Sequence, residues 1–61
     1  MDTYEIRILT PDQQTWAEAC RKASDFAAIR YARNLAKQAD HIEVWRGAHC
    51  VFTGHAGERS A

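Results

Sequence analysis

Residues 41–53 read His-Ile-Glu-Val-Trp-Arg-Gly-Ala-His-Cys-Val-Phe-Thr, and this stretch decides the fold. β-Branched and aromatic residues lie on both sides of Gly47-Ala48, which is typical of two strands joined by a tight turn. Glycine at the first of two turn positions suits a type II′ turn, whose twist matches that of the flanking strands. The sequence therefore predicts an antiparallel hairpin over these residues.

The register of this hairpin follows from the length of its turn. A two-residue turn pairs Val44 with Val51 and Trp45 with Cys50. Because side chains alternate between the two faces of a strand, Val44 and Val51 are expected on one face. The other face is expected to carry Trp45, Cys50 and Phe52. Both faces are then apolar, and one helix can cover only one of them.

Two segments near the start of the chain have different patterns. Residues 4–9 alternate apolar and charged side chains, which is the period of a half-buried strand. For residues 14–22, the sequence allows either a helix or a strand. Thr10 and Gln13 have the spacing of a helix-capping box, and local propensity favours a helix. A turn over residues 11–13 would instead return the chain as a second strand.

A helix is predicted between these segments and the hairpin. Ser24 or Asp25 can cap its first turn by accepting amide N–H groups that would otherwise be unpaired. The helix is expected to end near residues 39–40, and its apolar residues gather on one side. The alanines among them predict close packing against a sheet. This stripe consists of Ala28, Ile29, Tyr31, Ala32, Leu35, Ala36 and Ala39.

Together these elements predict the α+β class, with a small antiparallel sheet of three or four strands packed on one long helix. The order is ββαββ if residues 14–22 form a strand and βααββ if they form a helix. A single domain is expected over residues 1–53. Residues 54–61 are small and polar, and they are expected to form a flexible tail.

Composition argues against several classes of protein. Eight basic and eight acidic residues balance within the 61, so no net charge draws the chain to nucleic acid or to an anionic membrane. No apolar run approaches the roughly 18 residues of a membrane span. The first residues have no signal-peptide pattern. We therefore expect a cytoplasmic protein without a membrane partner, in which Cys20 and Cys50 are reduced.

Residues 42–47, Ile-Glu-Val-Trp-Arg-Gly, follow an alanine- and arginine-rich helix that opens with Ser24-Asp25. In this the chain resembles a set of short uncharacterised bacterial proteins, over roughly residues 3–53. The resemblance implies a ββαββ arrangement with one helix on an antiparallel sheet. It implies no activity, ligand or functional residue. The alanine-rich segment 15–23 departs from those proteins, which are more strand-like there.

The predicted function is a non-enzymatic protein-interaction module. The apolar face that the helix leaves uncovered should bind a second copy of the chain or another protein, because contiguous aromatic surface usually marks a partner site. A homodimer is the expected form. The candidate interface residues are Trp45, Phe52, Cys50 and Trp16.

An alternative hypothesis is a nucleic-acid-associated accessory protein. Arg30, Arg33 and Lys37 form a row on the side of the helix opposite its apolar stripe, where they could contact phosphates. Phe26 lies beside them and could stack on a base. The balanced net charge argues against this alternative, since a row of charges on a helix is usually a solvated face.

A third hypothesis is a metal- or redox-responsive switch built on Cys50. The histidine, carboxylate and thiol side chains of the hairpin do not have the spacing of a zinc site. No metal, cofactor or small-molecule substrate is therefore predicted. His49 and Cys50 are adjacent on a strand and point to opposite faces, so they cannot act as base and nucleophile. No catalytic residue is therefore assigned.

Overall fold

The computed structural model describes residues 1–57 as four strands and one helix. Every neighbouring pair of strands is antiparallel, and the strand order in the sheet is β2-β1-β3-β4. This confirms the α+β class and the ββαββ order. The elements are β1 (Asp2–Leu9), β2 (Thr15–Lys22), α1 (Asp25–Leu35), β3 (His41–Arg46) and β4 (His49–His55).

The segment left open by the sequence is strand β2. Thr10 closes the preceding turn: its N–H donates to the carbonyl of Gln14 at 2.9 Å, and its hydroxyl accepts from the N–H of Gln14 at 3.0 Å. The hydroxyl thus shapes a hairpin and does not cap a helix. Strand β2 then pairs with β1 along its full eight residues. This long-range pairing outweighs the helix propensity of its alanine and charged residues.

The start of helix α1 agrees with the sequence. Ser24 has an extended backbone, and its hydroxyl accepts the N–H of Ala27 at 3.1 Å. Asp25 occupies the first turn, where a negative charge is favoured by the helix dipole.

The helix is shorter than predicted, with 11 residues, and it ends at Leu35. Asp40 is buried, and its carboxylate accepts the N–H of Lys37 at 2.9 Å, which holds residues 37–40 in a turn toward β3. The prediction that the helix runs to residues 39–40 is therefore wrong. Leu35 and Ala39, which were assigned to its apolar stripe, are exposed.

The core lies between helix α1 and the two central strands. Ala28 and Ala32 are fully buried, so the small side chains bring the helix close to the sheet, as the alanine content predicts. The buried apolar residues of the described chain are Tyr4, Ile6, Ile8, Ala28, Ala32, Ile42 and Val44.

The terminal hairpin forms as predicted, but its register changes after two pairs. Gly47 has φ +61° at the turn, and Trp45 pairs with Cys50. A bulge then inserts Val51, so Val44 pairs with Phe52 and not with Val51. One extra residue in a strand moves all following side chains to the other face. Phe52 therefore lies on the side of the helix, and its predicted place beside Trp45 is wrong.

The last described residues belong to the fold. Strand β4 continues to His55, the N–H of Ala56 donates to the carbonyl of Asp40 at 2.9 Å, and Gly57 bonds to the carbonyl of Gln38 at 3.3 Å. The expected tail from residue 54 is thus wrong for residues 54–57, and residues 58–61 lie outside the described part. Over residues 1–57, the helix is too short and too polar to span a membrane.

We expect Ile42→Ala to destabilise the domain by about 2–5 kcal/mol, because it leaves a cavity in the core. That is comparable to the whole stability of about 3–5 kcal/mol that a core of this size supplies. Leu35→Ala removes the same number of carbons from a side chain that is 44% exposed, and it should cost much less. Urea unfolding followed by circular dichroism compares the two. Equal losses would contradict the assigned core.

Candidate interaction surface

Trp16 and Leu35 form an exposed apolar groove at one end of the helix. Trp16 lies on β2 directly opposite Ile8, on the side of the sheet that carries the helix. Trp16 and Leu35 are each 44% exposed. Together with Ile8 they line a groove of about 250 Å³. The last residue of α1, Leu35, thus forms one wall of the groove.

Two opposite charges lie along the same strand, next to the groove. The hydroxyl of Tyr31 donates a hydrogen bond of 2.5 Å to Oε2 of Glu18. The ammonium nitrogen of Lys22 lies 4.0 Å from the centroid of the Tyr31 ring. The hydrogen bond to the Glu18 carboxylate, followed by burial, raises the pKa of Tyr31. One aromatic side chain of the helix thus contacts both the Glu18 carboxylate and the Lys22 ammonium group.

The other face of the sheet is polar. The indole N–H of Trp45 donates to Oε1 of Glu43 at 3.0 Å, and the guanidinium carbon of Arg7 lies 5.3 Å from the Trp45 ring centroid. Arg7 also forms an ion pair of 2.6 Å with Glu5 and approaches Glu43 at 3.9 Å. Such a face can remain in water, as one face of an antiparallel sheet commonly does.

The four predicted interface residues are therefore not on one surface. Trp45 and Cys50 pair on the polar face, whereas Trp16 and Phe52 lie on the helix side, on opposite edge strands. The prediction of a single aromatic sheet face is wrong because of the bulge at Val51. Whether each residue contacts a partner stays a prediction. Sequence reasoning missed the groove, since it placed Leu35 in the core.

The basic row on the helix is also divided. Arg33 turns toward the sheet: its guanidinium carbon lies 5.1 Å from the ring centroid of Phe52, and its Nε is buried without a hydrogen-bond partner. Arg30 is exposed and lies 6.0 Å from the ring of Phe26, which is 71% exposed. Lys37 is exposed beyond the end of the helix. The row thus leaves Arg30 and Lys37 available to solvent.

The histidines of the hairpin meet in one pair. The rings of His41 and His55 lie edge to face with centroids 5.7 Å apart, and Nε2 of His41 is 3.0 Å from the hydroxyl of Thr53. In the described part of the chain, no three His, Cys, Asp or Glu side chains are grouped as metal ligands. Cys20 and Cys50 are free thiols, and burial is the main cause that raises the pKa of Cys20.

A polar cluster joins the start of the helix to two strands. The Tyr4 hydroxyl donates to Asp25 at 2.5 Å, and Arg46 donates to both oxygens of that carboxylate at 2.6 and 2.8 Å. The hydrogen bond from Tyr4, followed by those from Arg46, lowers the pKa of Asp25. The same bond raises the pKa of Tyr4. These contacts orient the helix on the sheet and lie away from the Trp16 groove.

The fold and its surfaces define a small two-layer α+β protein with one apolar groove beside an edge strand. No protein-family model matches the chain, and neither the curated proteins nor the solved structures include a match. The resemblance to short bacterial proteins therefore stays a prediction. The geometry of this chain alone supports the proposals below.

Stability should fall in acid through Asp25. Its pKa is lower in the folded chain than in the unfolded chain, so its contribution is complete above the unfolded value and is lost as the pH falls through the folded value. Denaturant midpoints measured from pH 7 to pH 2 should therefore drop below about pH 4. Asp25→Asn should flatten that drop and lower the midpoint at pH 7. Asp2→Asn, at an exposed strand end, is the matched control and should leave the profile unchanged.

Proposed function

We propose that this chain is a small, non-enzymatic protein-interaction module that self-associates. The half-exposed Trp16, which forms the groove with Leu35, is the observation that carries the proposal. Tryptophan is enriched in protein interfaces relative to the rest of the protein surface, which supports a contact with another chain here. A domain of about 60 residues also buries only about 60% of the surface that its unfolded chain exposes, so association adds to a thin core.

The position of the groove favours a protein partner. Trp16 lies on β2, which is an edge strand, so its main-chain groups and its indole can be covered by the same partner. Large aromatic residues carry a disproportionate share of the binding energy in protein interfaces. The polar face around Trp45 lacks this combination, because its tryptophan is already held by Arg7 and Glu43.

The lining of the groove argues for binding over catalysis. Ile8, Trp16 and Leu35 supply no group that takes up or releases a proton near neutral pH. An active site needs such groups, or a nucleophile, within reach of a substrate. The groove can instead bury apolar surface, which is the main source of affinity in a protein interface.

The two tryptophans provide a matched test of the interface. Trp16→Gln should leave the chain folded, because the side chain is already half exposed, and should weaken self-association at least about tenfold. Trp45→Gln changes the same residue type on the polar face and should leave association unchanged. Sedimentation velocity across micromolar concentrations measures the mass, and circular dichroism checks the fold. A parent chain that stays monomeric at all concentrations would refute the proposal.

A second candidate function, nucleic-acid association, rests on one observation. Phe26 is 71% exposed and lies beside Arg30, so a base could stack on the ring while the guanidinium contacts a phosphate. The inward position of Arg33 reduces the charge available to this surface.

If that candidate is correct, Phe26→Ala and Arg30→Gln should each weaken binding to a labelled single-stranded oligonucleotide, measured by fluorescence anisotropy at low salt. The loss at Phe26 should be about 5- to 150-fold, which corresponds to roughly 1–3 kcal/mol for one stacked base. Arg21→Gln removes an exposed charge of the same type from strand β2 and serves as the control. An absence of binding by the parent chain at low salt would remove this candidate.

A further inference from the structure

We propose that the partner is a second copy of this chain, joined along strand β2 in an antiparallel pair with Cys20 on the two-fold axis. The inference rests on the self-association proposed above and specifies its geometry. The two four-stranded sheets become one continuous sheet, with both helices on the same side.

Strand β2 has an open edge. Within residues 1–57, only β1 lies beside it, and the hairpin is closed by the bond from Thr10 N–H to the Gln14 carbonyl. Because antiparallel pairs alternate between bonded and non-bonded positions, residues 16, 18, 20 and 22 turn their main chains to β1. Residues 15, 17, 19 and 21 then present their N–H and carbonyl groups to the open edge. A second strand can bind these groups directly.

The opposite edge of the sheet is a poorer template. Strand β4 is interrupted by the bulge at Val51 and contains Gly54, both of which disturb a regular edge. Strand β2 pairs with β1 without a register shift over eight residues, and it contains neither proline nor glycine. The edge of β2 is also the one that carries the Trp16 groove.

The charges of β2 select the register. In a symmetric antiparallel pair that keeps equivalent side chains on the same face, the residue on the axis near the strand centre is Ala17, Glu18, Ala19 or Cys20. With Ala17 on the axis, each Glu18 faces a neutral Trp16 of the second copy. With Glu18 on the axis, two carboxylates face each other, which is destabilising. With Ala19 on the axis, each Glu18 faces a neutral Cys20. With Cys20 on the axis, each Glu18 faces Lys22 of the second copy, so two pairs of opposite charge form.

In the single chain, Glu18 and Lys22 already lie on the face of β2 where this pairing would occur. Tyr31 binds Glu18 through its hydroxyl and lies under the ammonium group of Lys22, so both side chains are kept on the helix side of β2. In this register Trp16 faces Ser24 of the second copy, at the start of its helix. The indole then lies beside the start of the second copy's helix, just past the residues 18–22 that pair within the two strands.

A charge exchange tests the pairing. Glu18→Lys and Lys22→Glu each place like charges across both pairs, so each variant alone should associate at least about tenfold more weakly than the parent. An equimolar mixture of the two variants restores opposite charges at both pairs and should form a heterodimer of parental affinity. Native mass spectrometry with one variant labelled by ¹⁵N identifies the mixed species. Each variant also changes a contact with Tyr31 within its own chain. Mixing the two variants does not restore that contact, so it cannot explain a rescue.

The native thiol gives a second measurement. Across the axis, the two Cys20 α-carbons should lie about 4.5 Å apart, within the range of a disulfide. In the Cys50→Ser variant, diamide should therefore oxidise the two thiols to a covalent dimer while taking up their two electrons and two protons. Cys20→Ser, which retains the exposed Cys50, is the control and should cross-link much more slowly. This measurement leaves the charges of β2 unchanged, so it decides the register even if a charge variant fails to fold.

The outcomes separate the two proposals. Rescue by mixing together with rapid cross-linking through Cys20 supports the paired edges. If the parent associates but either result is missing among folded variants, the proposed pairing is wrong and self-association still stands. If the parent is monomeric throughout, both proposals are refuted.

Discussion

The fold depends on the close contact between one short helix and the centre of the sheet. Ala28 and Ala32 are fully buried, and their small side chains let helix α1 approach Ile6, Ile42 and Val44 on the two central strands. A larger residue at either alanine would push the layers apart, and a well-packed core accommodates such overpacking poorly. The Tyr4–Asp25–Arg46 cluster fixes the start of the same helix to the sheet. The apolar packing and the polar contacts therefore favour the same position of helix α1 on the sheet.

That placement also determines which surfaces remain open. A helix of 11 residues reaches across the central strands and ends before it covers the Trp16 end of β2. On the opposite face of the sheet, the Trp45 side chain contacts the charged groups of Arg7 and Glu43, so this face can remain in water. Trp16 beside the edge of β2 is thus the most exposed large apolar side chain among the strand residues of the described sheet. This asymmetry links the packing of the core to the proposed association.

Much of the fold could be predicted from local patterns, and the candidate site only in part. Trp16, predicted as an interface residue, is half exposed and lines the groove, whereas Phe52 and Leu35 were assigned to the wrong positions. Phe52 changes face because Val51 forms a bulge, and a bulge depends on how two strands fit together. Leu35 has the period of a core residue, yet the turn held by Asp40 ends the helix beside it. Neither feature has a strong signal in the residues alone.

The sequence by itself determined the strand over residues 4–9, the cap at Ser24 and the turn at Gly47, because alternation, capping and positive φ are properties of a few neighbouring residues. Only the tertiary structure decided that residues 15–22 form a strand and that Glu18 and Lys22 lie against Tyr31. The local preference of that segment is helical, and it is reversed by hydrogen bonds to a distant strand. Pairing energy of this kind exists only when the whole sheet has formed, so no short stretch of the chain encodes it.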